Sequence, residues 1–223
     1  MSIVQPRSFY SRRGRVSPRH RNAVAALYPR WGVPAAPVDF AGIYGRTADV
    51  VVEIGSGMGH ATARMAMDDP DRDYLAVEVH TPGIGNLLSM IDENTIDNLR
   101  VYDGDAVRFL DDYIEDGVLA EIRVFFPDPW PKARHHKRRI IRPEFVALMR
   151  SKLRVGGLLQ CATDWAHYGE VMFDVLSADP GLRNRHRRQA PRPSWRPVTK
   201  FEQRAIDEGR DVVDYSFEKI TQD

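Results

Sequence analysis

Cysteine is almost missing from this chain. Its single thiol, Cys161, excludes an internal disulfide framework and a cysteine-based zinc cluster. It lies in an apolar run and is read as a buried, inert side chain. No apolar stretch approaches the ~20 residues needed to cross a bilayer, so no membrane partner is expected. The N-terminus carries Arg7, Arg12, Arg13, Arg15 and Arg19 without the apolar core of a secretion signal, and the expected compartment is the cytoplasm. The paired His135 and His136 are too few to suggest a metal site. There is no internal repeat and no sign of a second domain. What remains, 43% hydrophobic and 28% charged over 223 residues, is the composition of one globular domain able to bury a core.

The net charge of +1 conceals a segregation. Residues 1–30, 130–154 and 183–204 together hold 24 of the 32 cations and 2 of the 31 acids. The body of the chain is correspondingly acidic. Cationic stretches on an acidic body are the footprint of a surface that meets a polyanion, whereas a solvated charged face is the plainer explanation of any single run.

Hydrophobic patterning alternates strand and helix. Residues 1–20 read as a mobile basic arm, with Pro18 opening a helix to about residue 28. Residues 49–54 form an uninterrupted β-branched strand of the kind buried on both faces. Further strands are expected at 74–79, 99–102, 122–126 and 158–163, and a closing strand at 211–218. Helical spacing follows most of them, with Val155-Gly156-Gly157 as a turn between the helix from 142 and the next strand.

Chemistry gathers where strands end. Glu53-Ile54-Gly55-Ser56-Gly57-Met58-Gly59 links a strand to a helix through a glycine turn that lets a ligand approach the backbone. A dinucleotide frame starting at Gly55 and Gly57 would need glycine at position 60, where histidine stands, and Glu53 would repel a pyrophosphate. An adenosine cofactor bearing a positive charge, such as S-adenosyl-L-methionine, suits the turn better. Glu78 closes the second strand at the distance where an acid accepts ribose hydroxyls. His80 either caps the next helix or touches the cofactor. Asp105 either caps its helix or accepts from an adenine amine. Asp164 closes the fifth strand. The fourth ends in Pro127-Asp128-Pro129-Trp130-Pro131, which the prolines stiffen, so Asp128 and Trp130 are held beyond the strand end. Trp130 either stacks on a base or packs beneath the loop. Lys132, Arg134, Lys137, Arg138 and Arg139 follow as candidate phosphate contacts, and residues 183–196 extend their path. Thr199 to Glu202 has the spacing of a capping box.

These motifs together resemble the TrmB family of bacterial tRNA (guanine-N7)-methyltransferases. They are Glu53-Ile54-Gly55-x-Gly57-x-Gly59, Glu78-Val79-His80-x-Pro82-Gly83, Pro127-Asp128-Pro129-Trp130-Pro131-Lys132 with Arg134-His135-His136-Lys137-Arg138-Arg139, and Thr199-Lys200-Phe201-Glu202. The resemblance implies a class I S-adenosylmethionine-dependent α/β fold, with a mostly parallel seven-stranded sheet whose last strand is antiparallel. It implies an arm at 1–20 and a methyltransferase domain at 21–223. The implied activity is methyl transfer to N7 of guanine 46 in the variable loop of tRNA, with S-adenosyl-L-homocysteine as by-product. By position, Glu53, Glu78, Asp105 and Asp128 match cofactor-contacting acids, beside the turn glycines Gly55 and Gly57. Asp128 also matches the catalytic position. Lys132, Asp164, Thr199, Lys200, Phe201 and Glu202 match substrate-contacting positions. Three departures from the family pattern, Ser56, Ala205 and Arg210, are at positions other than the acids and bear only on the fine placement of the last helix and strand. Monomer and homodimer both remain open. The rivals are a small-molecule methyltransferase, a nicotinamide dehydrogenase and a non-enzymatic RNA chaperone. The clustered cations, the failed glycine frame and the strand-end acids respectively oppose them.

Overall fold

The computed structural model describes residues 16–221. The arginines expected to form the arm up to position 15 lie outside them. The chain runs α1 (Pro18–Trp31), α2 (Phe40–Tyr44), β1 (Asp49–Ile54), α3 (His60–Asp68), β2 (Arg72–Glu78), α4 (Thr81–Asn94), β3 (Leu99–Asp103), α5 (Ala106–Tyr113) and β4 (Leu119–Phe125). A 3₁₀ turn over Ala133–Arg138 follows. Then come α6 (Pro143–Lys152), β5 (Leu153–Thr163), α7 (Ala166–Ala178), β6 (Leu182–Asn184), α8 (Lys200–Asp207) and β7 (Val213–Lys219).

The seven strands lie in the order β3-β2-β1-β4-β5-β7-β6. All neighbours from β3 to β5 are parallel, and β7 runs antiparallel to both β5 and β6. β1 has no polar alternation because both faces of the sheet are covered. On one face Val50, Val52, Leu75, Ile122 and Val124 pack against α5, α6 and α7 through Phe109, Phe145, Met149, Tyr168 and Met172. On the other, Val51, Tyr74, Ala76 and Val101 meet α1, α3 and α4 through Trp31, Met65, Ile84, Leu87 and Leu88. Each large apolar side chain so buried contributes about 1.5–3 kcal/mol relative to exposure.

Four local expectations change. α1 continues past Pro29 to Trp31. The Val155-Gly156-Gly157 segment is an irregularity inside β5 and not a turn before it: Leu119 pairs Leu153, the register then shifts, and Glu121 pairs Leu158. β6 was not foreseen, because three residues within a basic stretch carry no readable period. β4 begins three residues before the expected start and ends one earlier, since Phe126 takes φ 51° and leaves the strand.

α1 and α4 cross where Gly85 lies against the backbone of His20; a Cβ at Gly85 would come within 2.6 Å of the His20 carbonyl oxygen. Gly85→Ala should therefore push the helices apart and destabilise the fold by about 1–3 kcal/mol, read by urea unfolding. An unchanged urea midpoint would show that the crossing yields freely.

Candidate functional site

β1 and β4 are neighbours, yet the chain leaves β1 toward β2 and β3 before returning to β4. Connections diverge there, and a crevice opens at the carboxyl ends of the two strands, the usual ligand position of an open α/β sheet. The glycine turn after β1 fills one lip. Gly55 and Gly57 have φ 83° and 58°, a region side chains disfavour, and a Cβ on either would project into open space. Behind the turn, Gly83 of α4 comes so close that its Cβ would meet the Gly57 carbonyl oxygen at 1.9 Å.

The acids expected at the strand ends do not share one environment. Glu78 is satisfied by backbone: Gly57 donates to one carboxylate oxygen at 2.7 Å, and Val79 and His80 donate to the other at 2.7 and 3.0 Å. Glu53 is buried, and among the described residues no hydrogen bond of normal geometry to its Oε2 is seen, the Thr62 hydroxyl being a near neighbour of the carboxyl. Burial pushes its carboxyl well above the usual range; the Thr62 hydroxyl and the Arg123 charge oppose the rise and Glu78 adds to it. Asp105 caps α5, accepting from Val107 and Arg108 at 3.0 and 3.1 Å. Asp103, at the end of β3, was missed by sequence reasoning. Its side chain reaches solvent, yet partial desolvation at the strand end, then the charge of Glu78, raises its carboxyl. Its position beside Glu78 in the parallel register was the signal that would have found it. His80 precedes α4 without a side-chain capping bond.

Asp128 is exposed on the loop after β4, and among the described residues none is seen to hydrogen-bond to it. Two backbone features frame it: Phe126 and Trp130 have φ 51° and 45°. A left-handed conformation costs a bulky residue roughly 1–2 kcal/mol, so the surroundings must hold it. Phe126 donates its N–H to Ala162 of β5 at 2.8 Å. Arg139 donates to the Pro129 carbonyl at 2.9 Å, lies 3.2 Å from His167 of α7, and stacks over Tyr168. Trp130 is flanked by the Arg138 guanidinium, 5.0 Å from its centroid, and by His135 edge-on.

The cation-rich segments divide when seen in space. Lys132, Arg134 and Lys137, which follow Asp128 along the chain, are exposed, and no acid of the described residues is seen paired with them. Arg139, read as a phosphate contact, is buried and serves the loop instead. Arg150, Lys152 and Arg154 pair with Asp179, Asp116 and Asp49. In the third segment Arg183, Arg188, Arg192, Arg196 and Arg204 are all paired with acids. That leaves Arg185, Arg187 and Lys200 exposed, with no ion pair seen among the described residues.

Thr199 caps α8, accepting from Glu202 N–H at 3.1 Å, but the capping box is half formed. The Glu202 carboxylate turns inward, 1% exposed, to Arg192 and Arg196. Lys200 is exposed, and Phe201 is 75% exposed although aromatic. Asp164, after β5, is bonded by Arg210, which also pairs with Glu208 at 2.9 Å. Arg210, a departure from the family pattern, is thus brought by the fold onto a strand-end acid.

A family model described as "Putative methyltransferase" matches residues 47–215. The chain is 50% identical to a tRNA (guanine-N(7)-)-methyltransferase of Paraburkholderia xenovorans over 215 residues, covering 96% of this chain and 83% of that protein. It is 48% identical to one of Streptomyces avermitilis, over 96% of this chain and 75% of that one. Among solved structures, the 16S rRNA methyltransferase KamB aligns with a TM-score of 0.58 at 17% identity, covering 82% of this chain and 93% of that one. TrmN from Thermus thermophilus aligns at 0.56 and 15%, over 90% and 48%. These two show the likeness of fold.

Glu53 has a consequence for stability. Its raised carboxyl holds a proton in the folded state at pH values where the unfolded chain, near the ordinary 4.5, has lost it. Stability therefore falls as pH rises through that window. Glu53→Gln should raise the Tm of the ligand-free protein at neutral pH relative to wild type. The gain should vanish as pH falls toward 4.5. A Tm gain independent of pH would remove ionisation from the explanation.

Proposed function

Since this chain belongs to the bacterial tRNA (guanine-N7)-methyltransferases, we propose that it transfers a methyl group from S-adenosyl-L-methionine to N7 of guanine 46 in the variable loop of tRNA. The observation that carries the reading is the buried Glu53 oxygen, with no hydrogen bond of normal geometry seen among the described residues, beside an open glycine turn, with exposed Asp128 at the end of the neighbouring strand. A buried carboxylate oxygen without a donor suits a ligand bearing positive charge and repels a pyrophosphate. When bound, S-adenosyl-L-methionine supplies an electrophilic methyl on a sulfonium centre.

The residues of the chain divide the remaining work. Glu53 offers that oxygen to a cationic group. Glu78, already held by Gly57, Val79 and His80, keeps lone pairs for ribose hydroxyls. Asp105 uses one oxygen as a cap and leaves the other for a donor such as an adenine amine. Guanine N7 carries its own lone pair, so no proton has to leave the nucleophile. The protein's task is alignment, together with stabilisation of the charge that develops on the purine. Asp128 is the carboxylate free for both. Lys132, Arg134, Lys137 and Lys200 meet phosphates, and exposed Phe201 offers a surface for an unstacked base. Asp164, held by Arg210, lies on the same rim. A soluble, cytoplasmic enzyme is part of this reading.

Mapping the modified nucleotide after incubation with unmodified tRNA tests the activity and the position together; a methyl group elsewhere than guanine N7 overturns it. Asp128→Asn should lower kcat by about 100-fold while the KM for tRNA changes little. Unchanged turnover with weakened tRNA binding would take Asp128 out of the chemistry. Affinity for tRNA should fall with salt by about 0.7–0.9 log units per log unit for each phosphate neutralised. Replacing Lys132, Arg134 and Lys137 together should flatten that slope by roughly 2 to 3 units, and an unaltered slope would place the phosphate contacts elsewhere.

A further inference from the structure

Residues 190–199 cross the carboxyl end of β4 as a strap. Ala190 is tied to β7, donating to the Asp214 carbonyl at 2.7 Å. Trp195 lies against the fully buried Arg123, whose guanidinium is 3.9 Å from the indole centroid, and faces Phe125 at 6.2 Å. Arg196 is the centre of the strap. Its two terminal nitrogens bond the Asp214 carboxylate at 2.5 and 3.1 Å, and one of them reaches Glu202 of α8 at 3.0 Å. The same guanidinium sits over Phe125 at 5.0 Å and Phe126 at 5.3 Å. Arg192 braces the arrangement, donating to Glu202 at 2.6 Å and to the Arg196 carbonyl at 2.7 Å.

One planar cation thus touches three things at once: β7 through Asp214, the first turn of α8 through Glu202, and the two residues at which β4 turns toward Asp128. Phe126 holds a left-handed φ of 51°, a conformation that persists only where contacts over-determine it. Stacking of Arg196 on that ring is such a contact. α8 follows directly from the strap: its capping residue Thr199 stands three residues after Arg196, and the helix begins at Lys200.

We infer that Arg196 is a positioning residue for methyl transfer: anchored on β7, it sets the turn that presents Asp128 relative to Thr199, Lys200 and Phe201. The inference rests on the function proposed above. A buried ion pair is by itself weak support for stability, whereas a fork that fixes two elements to a third specifies geometry. The residue count of the segment points to nucleic acid; its central arginine faces inward and acts through the loop and helix that it joins.

Arg196→Lys keeps the charge but loses the fork and the planar stack. Its Tm, its affinity for S-adenosyl-L-homocysteine by calorimetry, and its kcat at saturating tRNA are measured in the wild-type background and in the Asp128→Asn background. The donor-site affinity should stay within about twofold, because the acids that line it lie on other strands. Turnover should fall at least about tenfold in the wild-type background and less than about twofold when Asp128 is already replaced, since residues acting as a unit are non-additive. Equal losses in both backgrounds, or wild-type turnover in the single variant, would overturn the inference. A parallel loss of Tm, donor affinity and turnover would overturn it too, as the mark of general destabilisation. Should Arg196→Lys fail to fold, Asp214→Asn loosens the same guanidinium and is judged by the same cycle. Absence of tRNA methylation by the wild-type protein would instead fell the proposed function.

Discussion

The Glu78 carboxylate joins the sheet to the glycine turn, and the geometry of the crevice follows from that junction. By accepting from Gly57, it fixes a turn whose backbone could otherwise take many conformations. By accepting from Val79 and His80, it fixes its own strand end. Three backbone N–H groups thus satisfy this carboxylate. Glu53, two residues before the turn, has no such donors and bears the penalty of burial. Neighbouring negative charge raises both Glu53 and Asp103 further. The acidic rim is a local cost that the apolar faces of the sheet sustain.

The cations show why charge counts mislead about surfaces. Within residues 183–204 most arginines neutralise acids of α7, α8 and β7, and Arg196 is buried among aromatic rings. In residues 130–154 the C-terminal members do the same for Asp49, Asp116 and Asp179. The unneutralised positive surface of these two stretches is smaller than the sequence suggests. Its exposed members with no ion pair seen among the described residues are Lys132, Arg134 and Lys137 after β4, Arg185 and Arg187 after β6, and Lys200 at the start of α8. Exposed charge of this kind is screened by salt, while the inward arginines are shielded from it.

Asp128 depends on contacts from far along the chain. Proline stiffens its loop, but proline alone does not explain left-handed Phe126 and Trp130. Phe126 is pinned by Ala162 and covered by Arg196, and Trp130 is flanked by Arg138 and His135. Arg139 closes the far side of the loop against α7. Strand β5, helix α7 and the strap all have to be in place before this carboxylate has a defined position.

Much of this was legible in residue order. A β-branched run marked β1, an apolar run marked β2, glycine spacing marked the turn, and acids stood at strand ends, because each is a local rule of backbone sterics or hydrogen bonding. Thr199 announced the start of α8 for the same reason. The inward turn of Glu202, the burial of Arg139 and Arg196, the contact of Arg210 with Asp164 and the short β6 were not legible. Arg196, Arg210 and β6 depend on partners tens of residues away or nearly so, Arg139 on how a distant helix packs, and Glu202 on two arginines 10 and 6 residues before it whose direction no local period fixes. Local sequence determined where polar groups would emerge from the sheet; only the packing of distant elements decided which would face solvent and which would be neutralised inside, since burial and pairing belong to neighbours in space.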